Sequence, residues 1–253
     1  MKYLSRYTQI LTTTIILALS VSVSCHAQQH LRMGYVEFEP YYYTDSNGEV
    51  KGHLVDLGDR LAKHAGFTLE YQSYPVKRLA KYVVSGEVDI FFGMPTLTSF
   101  SEGALISSMA IDQIQLQAYT LSPMPPINKK EDLKGKRILI LRGYSYGDWI
   151  HYIKDPKNNI DFRIADTHKQ ALRMLVRRDI DYLLDYKLPI NHAARKLNLP
   201  DLHSNNIITF GPHMMVSKKT KNAKEVMEKL EAAFEELFPG GAAKTKGKFQ
   251  IEE

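Results

Sequence analysis

Cysteine is nearly absent from this chain. Of 253 residues only Cys25 is a cysteine, and it falls in a leader-like segment. A chain cut after residue 27 would have neither a disulfide nor a free thiol, and its stability would rest on the size of its core. Long hydrophobic runs are scarce as well. The apolar run from Ile10 to about Val23 is interrupted by Thr12–Thr14 and Ser20, and it is short for a membrane span. Charge of one sign is also lacking. The formal net charge is +5, and +3 once Lys2 and Arg6 are removed. No Lys/Arg run is interleaved with aromatics, so no nucleic-acid partner is expected. Lys129-Lys130 and Lys218-Lys219 read as solvated turns, and 244–249 as a basic tail. His151, His168, His192, His203 and His213 are scattered without ligand spacing, so neither a metal nor a cofactor is expected. Disorder is excluded by a composition of 44% apolar and 24% charged residues.

What is present begins with the leader. Lys2 and Arg6 precede the apolar run, and Cys25-His26-Ala27 follows it. This pattern is a secretory signal peptide cut after Ala27, which implies a periplasmic mature chain. An uncleaved anchor, or a lipoprotein signal centred on Cys25 with Ser22 at a poor −3 position, are the alternatives.

The stretch 34–58 organises the rest. Pro40 has no N–H for a ladder and ends a strand. Tyr41, Tyr42 and Tyr43 follow, with at least one expected to face a cleft. Asp45-Ser46-Asn47-Gly48 is turn chemistry. Leu54, Leu57, Leu61 and Ala62 then recur with helical spacing until Gly66 stops the helix. Downstream, strands and helices alternate. Strands are predicted at Leu69–Tyr74, Val88–Met94, Gln113–Leu121, Arg137–Leu141, Ile160–Asp166, Ile180–Tyr186 and Asn206–Phe210. Helices are predicted at Val76–Val84, Gly147–Lys154, Thr167–Arg178, Pro189–Leu197 and 221–238. Thr167 and Gln170 have capping-box spacing. Such alternation implies mostly parallel sheets flanked by helices, an α/β fold. The Pro123-Met124-Pro125-Pro126 cluster and Gly211-Pro212 divide the chain into three pieces. Residues 28–120 with 211–253 form one expected lobe and 121–210 the other, with two strands crossing between them.

Pro40, Tyr41, Gly48, Gly52, Asp56 and Leu57 together resemble the N-terminal signature of the family 3, amino-acid type, extracellular solute-binding proteins. Further matches follow in order over 30–240. They are Gly86 with Asp89, Leu133-Lys134-Gly135-Lys136 leading to Arg142-Gly143, Asp179-Ile180-Asp181, and Ser217-Lys218. The resemblance implies a type 2 periplasmic-binding fold, two α/β lobes closing on a small solute at two hinge strands. It also implies a monomer that binds a small polar solute, an amino acid or a related compound, and serves an inner-membrane ABC transporter or a sensor. Carried over residue by residue, it places an aromatic wall at Phe38 and Tyr41. A loop follows at Gly93, Met94 and Thr96, and an anion-binding helix start at Tyr144, Ser145 and Tyr146. The amine-binding aspartate falls at or beside Asp185, with Tyr186 the better register match. One departure stands out. Thr98-Ser99-Phe100-Ser101-Glu102 has Ser101 near the position of the family's carboxylate-clamping arginine. Arg78 and Arg142 are the candidate replacements.

Two enzymatic readings stand beside this. Gly143-Tyr144-Ser145-Tyr146-Gly147 is literally GxSxG between a strand and a helix, the context of a hydrolase nucleophile. Asp181 or Asp185, and His192, His203 or His213, follow it in Ser…Asp…His order, but no HGG-type loop precedes it. A dehydratase-like lyase on the same fold would use Glu37, Glu39 and Asp185 as acid/base groups.

Overall fold

A computed structural model describes residues 28–95, 98–177, 179–199 and 201–241, apart from the side chains of Thr98, Ser99 and Ser101. The leader with Cys25, Thr96 and the basic tail lie outside the described residues.

The first lobe is built on the predicted β-α-β-α-β series. It comprises β1 (Gln29–Tyr35), α1 (His53–Ala65), β4 (Phe67–Ser73), α2 (Val76–Ser85) and β5 (Ile90–Gly93). A small hairpin, β2 (Tyr43–Thr44) and β3 (Val50–Lys51), precedes α1. Its turn is tied by Asp45 Oδ1, which accepts from the amides of Asn47 at 2.8 Å and Glu49 at 2.9 Å. β1 pairs in parallel with β4 and with β5. Helix α1 ends as its sequence predicts, with Gly66 left-handed at φ 79° and its N–H returned to Ala62 and Lys63. α3 (Thr98–Gly103) and β6 (Ala104–Ile106) follow.

The second sheet contains β7 (Ile114–Thr120), β8 (Arg137–Leu141), β9 (Asp161–Ala165), β10 (Tyr182–Tyr186) and β11 (His203–Phe210). Its helices are α4 (Trp149–Lys154), α5 (His168–Val176) and α6 (Lys187–Lys196). The chain then returns to the first sheet as β12 (His213–Ser217) and ends its described part with α7 (Ala223–Leu237). The sheet orders are β4-β1-β5-β12-β6 and β11-β7-β10-β8-β9. The continuous apolar strand Arg137–Leu141 is explained by burial on both faces. Ile138 and Ile140 point into one core with Trp149 and Ile153, while Leu139 and Leu141 point into another with Leu172 and Leu175.

The chain crosses between lobes twice. The first crossing is 107–113, and the second is Gly211-Pro212. The two crossings are tied together: Ser107 N–H donates to Met214 O at 2.9 Å and Ile111 N–H to Pro212 O at 2.8 Å. β7, which a division at 121 leaves with the first lobe, pairs with β10 and β11 in the second sheet. The proline cluster ends β7 and begins a loop that packs on its own lobe. Tyr182 Oη donates to Pro125 O at 2.7 Å, and Asn205 bonds both backbone groups of Ile127. A strong chain-breaker therefore marks the end of a strand here and not a change of lobe.

The same pair of charges recurs in each lobe. Asp89 accepts from the Arg32 amide at 2.9 Å and Arg32 Nε at 2.8 Å, and Asp181 from the Arg137 amide at 2.8 Å and Arg137 Nη2 at 2.6 Å. In both cases an aspartate just before a sheet's central strand clamps a neighbouring strand, at the middle of β1 through Arg32 and at the start of β8 through Arg137. This gives a structural reason for Asp89 and Asp181 in the motifs read above. Two local expectations need correcting. The helix predicted from Gly147 starts at Trp149. Thr167 caps the Gln170 amide at 3.1 Å, but Gln170 Oε1 reaches the Asp166 amide at 2.8 Å, so the capping box closes one residue early.

Candidate functional site

The first-lobe wall is a tight loop beyond the carboxyl end of β1. Phe38 N–H donates to Tyr42 O at 2.8 Å, and Tyr41 N–H to Phe38 O at 2.8 Å. The loop is docked on α1, whose first free amides need acceptors. His53 N–H donates to Pro40 O and Leu54 N–H to Tyr41 O, both at 3.0 Å. Gly52, at φ 133°, allows this approach, since a Cβ there would lie 2.4 Å from Tyr41 O. The three tyrosines diverge. Tyr41 stacks on Phe38 with ring centroids 5.0 Å apart. Tyr42 is buried, stacked on Tyr35 at 5.6 Å. Tyr43 lies in the hairpin.

The second-lobe wall lies beyond the carboxyl ends of β8 and β10. Tyr146, at φ 53°, is fully buried, and Leu141 N–H donates to its Oη at 2.7 Å. Tyr186 stacks on Tyr146 at 5.8 Å. Across the cleft, Phe38 meets Tyr144 edge-on at 5.5 Å and Tyr186 edge-on at 5.3 Å. Phe38, Tyr41, Tyr144, Tyr146 and Tyr186 thus form one aromatic cluster drawn from both lobes.

Asp185 lies behind this wall, 0% exposed. His168 Nδ1 donates to its Oδ2 at 2.8 Å, and the Tyr186 amide donates to its Oδ1 at 2.7 Å. Burial pushes the Asp185 carboxyl up, partly offset by His168 and the Tyr186 amide. On the other side of the ring, His168 Nε2 is hydrogen-bonded to Tyr144 Oη at 3.2 Å. A relay Tyr144–His168–Asp185 therefore runs from the cleft into the core. Sequence reasoning missed His168. The signal available for it was its place as the first residue of a helix that follows a strand's carboxyl end, where cleft residues gather.

The other expected residues are placed differently. Gly93 ends β5 opposite His213, and Met94 follows it, half-buried. Arg78 is exposed on the first turn of α2. Arg142 is exposed and gives its Nε to Asp166 Oδ1 at 2.7 Å, so it is engaged on the surface. Ser145 is exposed in a turn before α4, not at a helix start. Its carbonyl accepts from the Ile150 amide at 3.2 Å, and Tyr146, Gly147 and Asp148 are all left-handed. The Ser101 side chain and Thr96 are outside the described residues.

Several of the candidate enzymatic groups already have protein partners. His192 is bonded to Glu39 and His213 to Ser107 O, while His203 is exposed at the start of β11. Glu37 accepts from the Thr44 amide and hydroxyl, and Asp185 is held by His168.

Comparison with known proteins adds a family match. The model of the bacterial extracellular solute-binding proteins, family 3, matches residues 31–245. No curated protein matches the chain. Among solved structures, one similar chain is a histidine kinase sensor domain with similarity to periplasmic binding proteins. It is 20% identical, with a TM-score of 0.63, over 84% of this chain and 90% of that one. A second is an ABC uptake transporter substrate-binding protein from Streptococcus pneumoniae with bound histidine. It is 19% identical, with a TM-score of 0.60, over 83% and 87%. A third is an ancestral amino-acid-binding protein, a precursor of cyclohexadienyl dehydratase. It is 16% identical, with a TM-score of 0.61, over 84% and 91%. At these identities the likeness speaks for the two-lobed fold.

Proposed function

Because this chain belongs to the bacterial extracellular solute-binding proteins, family 3, we propose that it is an exported receptor whose lobes close on a small polar solute, an amino acid or a related compound. The bound solute is handed to an inner-membrane ABC transporter or reported to a sensor. The protein works in the periplasm as a monomer, its leader removed after Ala27. The observation that carries this reading is the meeting of Phe38 with Tyr144 and Tyr186. Aromatic walls from two lobes face each other beyond the carboxyl ends of parallel strands, where ligands of open α/β sheets bind. Paired crossings at 107–113 and 211–212 supply the hinge. Tyr144, with its hydroxyl backed by His168 and Asp185, is the polar group that orients the solute, while Phe38, Tyr41 and Tyr186 supply stacking surface. Turnover has less support, since the acid/base candidates Glu37, Glu39 and Asp185 are bound within the protein.

The test is a thermal-shift panel on residues 28–253 with amino acids, polyamines, small carboxylates and oligosaccharides. A solute at 100-fold over its dissociation constant adds about 2.7 kcal/mol, which is roughly 5–11 °C for a chain of this size. Stabilisation by one class, with the solute recovered unchanged, supports the receptor reading. Conversion of the solute refutes it in favour of an enzyme.

A further inference from the structure

Phe38 and Glu39 are consecutive residues of the first lobe, and both side chains leave it for the second. The Phe38 ring contacts Tyr144 and Tyr186 at centroid distances of 5.5 and 5.3 Å. Glu39 Oε1 accepts from His192 Nε2 and from Lys196 Nζ, each at 3.1 Å. His192 and Lys196 are one turn apart on α6, so a single carboxylate reaches both. The segment bearing these two residues is stiff. Phe38 is tied to Tyr41 and Tyr42 through its backbone, and the Pro40 and Tyr41 carbonyls are held by the first amides of α1. Tyr186, Leu188 and Phe210 of the second lobe also pack against the first-lobe core.

Ring centroids 5–6 Å apart are in van der Waals contact. The space between the walls is therefore taken by Phe38 itself. A solute entering between them must first separate Phe38 from Tyr144 and Tyr186, and that movement carries Glu39 away from α6. Electrostatics act in the same direction. Burial opposes the charge on Glu39, but Lys196 and His192 outweigh it and hold the carboxyl below its usual range, so it is ionised at neutral pH. We propose that the Phe38-Glu39 segment is a built-in latch that closes the two lobes on each other without a solute, and that solute entry requires its release. The proposal depends on the two-lobed fold and not on the identity of the solute, so it can fail while the receptor reading stands.

The test measures lobe separation in the solute-free chain. Residues 28–253, stripped of bound solute by unfolding and refolding, carry spin labels at Glu70→Cys and Lys157→Cys, exposed positions on the two lobes. Pulsed electron resonance then reads their distance distribution. The wild-type chain is expected to give one short-distance population. Glu39→Lys sets a like charge against Lys196 and removes the acceptor of His192, and should raise the open-to-closed ratio at least tenfold. Lys196→Glu should open the lobes independently of that variant, and the double variant Glu39→Lys/Lys196→Glu should close them again. Phe38→Ala should also open them. A wild-type chain already open without solute overturns the proposal, as does a distribution unchanged by Glu39→Lys and Lys196→Glu. Opening by the single variants without restoration in the double variant overturns it too.

Discussion

Asp185 and Tyr186 are neighbours in the chain and lie on opposite faces of the same strand. Asp185 points towards α5, where His168 holds it, and Tyr186 points towards the cleft, where it meets Phe38. Alternation along a strand enforces this separation. The two residues that share the expected aspartate position therefore have different functions, one supporting the wall and the other forming it.

Substitution should separate those functions. Asp185→Ala leaves the His168 Nδ1–H and the Tyr186 amide without their acceptor inside the protein. It should cost about 1–3 kcal/mol of stability, read as a lower urea midpoint. Tyr186→Leu keeps an apolar body at the wall and should cost less stability, while weakening binding of whichever solute the thermal panel identifies. Equal losses of stability in the two variants would contradict the division.

Acid should loosen both lobes through the paired aspartates. Burial opposes the charge on Asp89, but the Arg32 guanidinium and amide and the Thr220 hydroxyl outweigh it and hold the carboxyl below its usual range. Asp181 is held down chiefly by Arg137. A carboxyl depressed in the folded state contributes stability that is complete above its unfolded value, near 4, and is lost as pH falls through the folded value. The melting temperature should therefore be nearly flat from pH 7 to 5 with respect to these groups, and fall below pH 4. Asp89→Asn should cost about 2–3 kcal/mol at pH 7, with the difference from wild type shrinking towards pH 3. A difference that stays constant with pH would show that charge is not what Asp89 contributes.

Gly52→Ala tests how the first wall is seated. The new Cβ would meet the Tyr41 carbonyl at a left-handed φ of 133°, so backbone strain adds to the clash. Loss of more than about 1 kcal/mol is expected, with reduced solute affinity because Tyr41 must move. A thermal melt checks the first effect and a titration the second. Unchanged affinity in a destabilised variant would detach Tyr41 from the site.

Much of the architecture is legible in the sequence because it depends on local pattern. The stop of α1 at Gly66, the strand Arg137–Leu141 and the alternation of strands with helices follow from glycine conformation and apolar spacing. The first crossing is not legible in this way. Residues 107–113 contain no proline, and only their bonds to the returning chain at Pro212 and Met214 mark them as a hinge. The cleft is partly legible. Phe38, Tyr41, Tyr144 and Tyr186 can be read from the family resemblance, and the structure brings them together. His168 depends on a neighbouring strand to give it Asp185 as a partner, and Glu39 on α6 of the other lobe. Contacts of such long range leave no periodicity to read. Arg142 has the right chemistry for an anion, but its partner Asp166 is supplied by the fold.

The central claim is that a small solute binds between Phe38 and the Tyr144–Tyr186 pair. Native mass spectrometry of residues 28–253, mixed with the panel compound that stabilises it most, tests this directly. The account predicts a one-to-one complex with the compound unchanged in mass, present in wild type and lost in Tyr186→Ala. A complex that survives Tyr186→Ala, or no complex with any member of the panel, would contradict it.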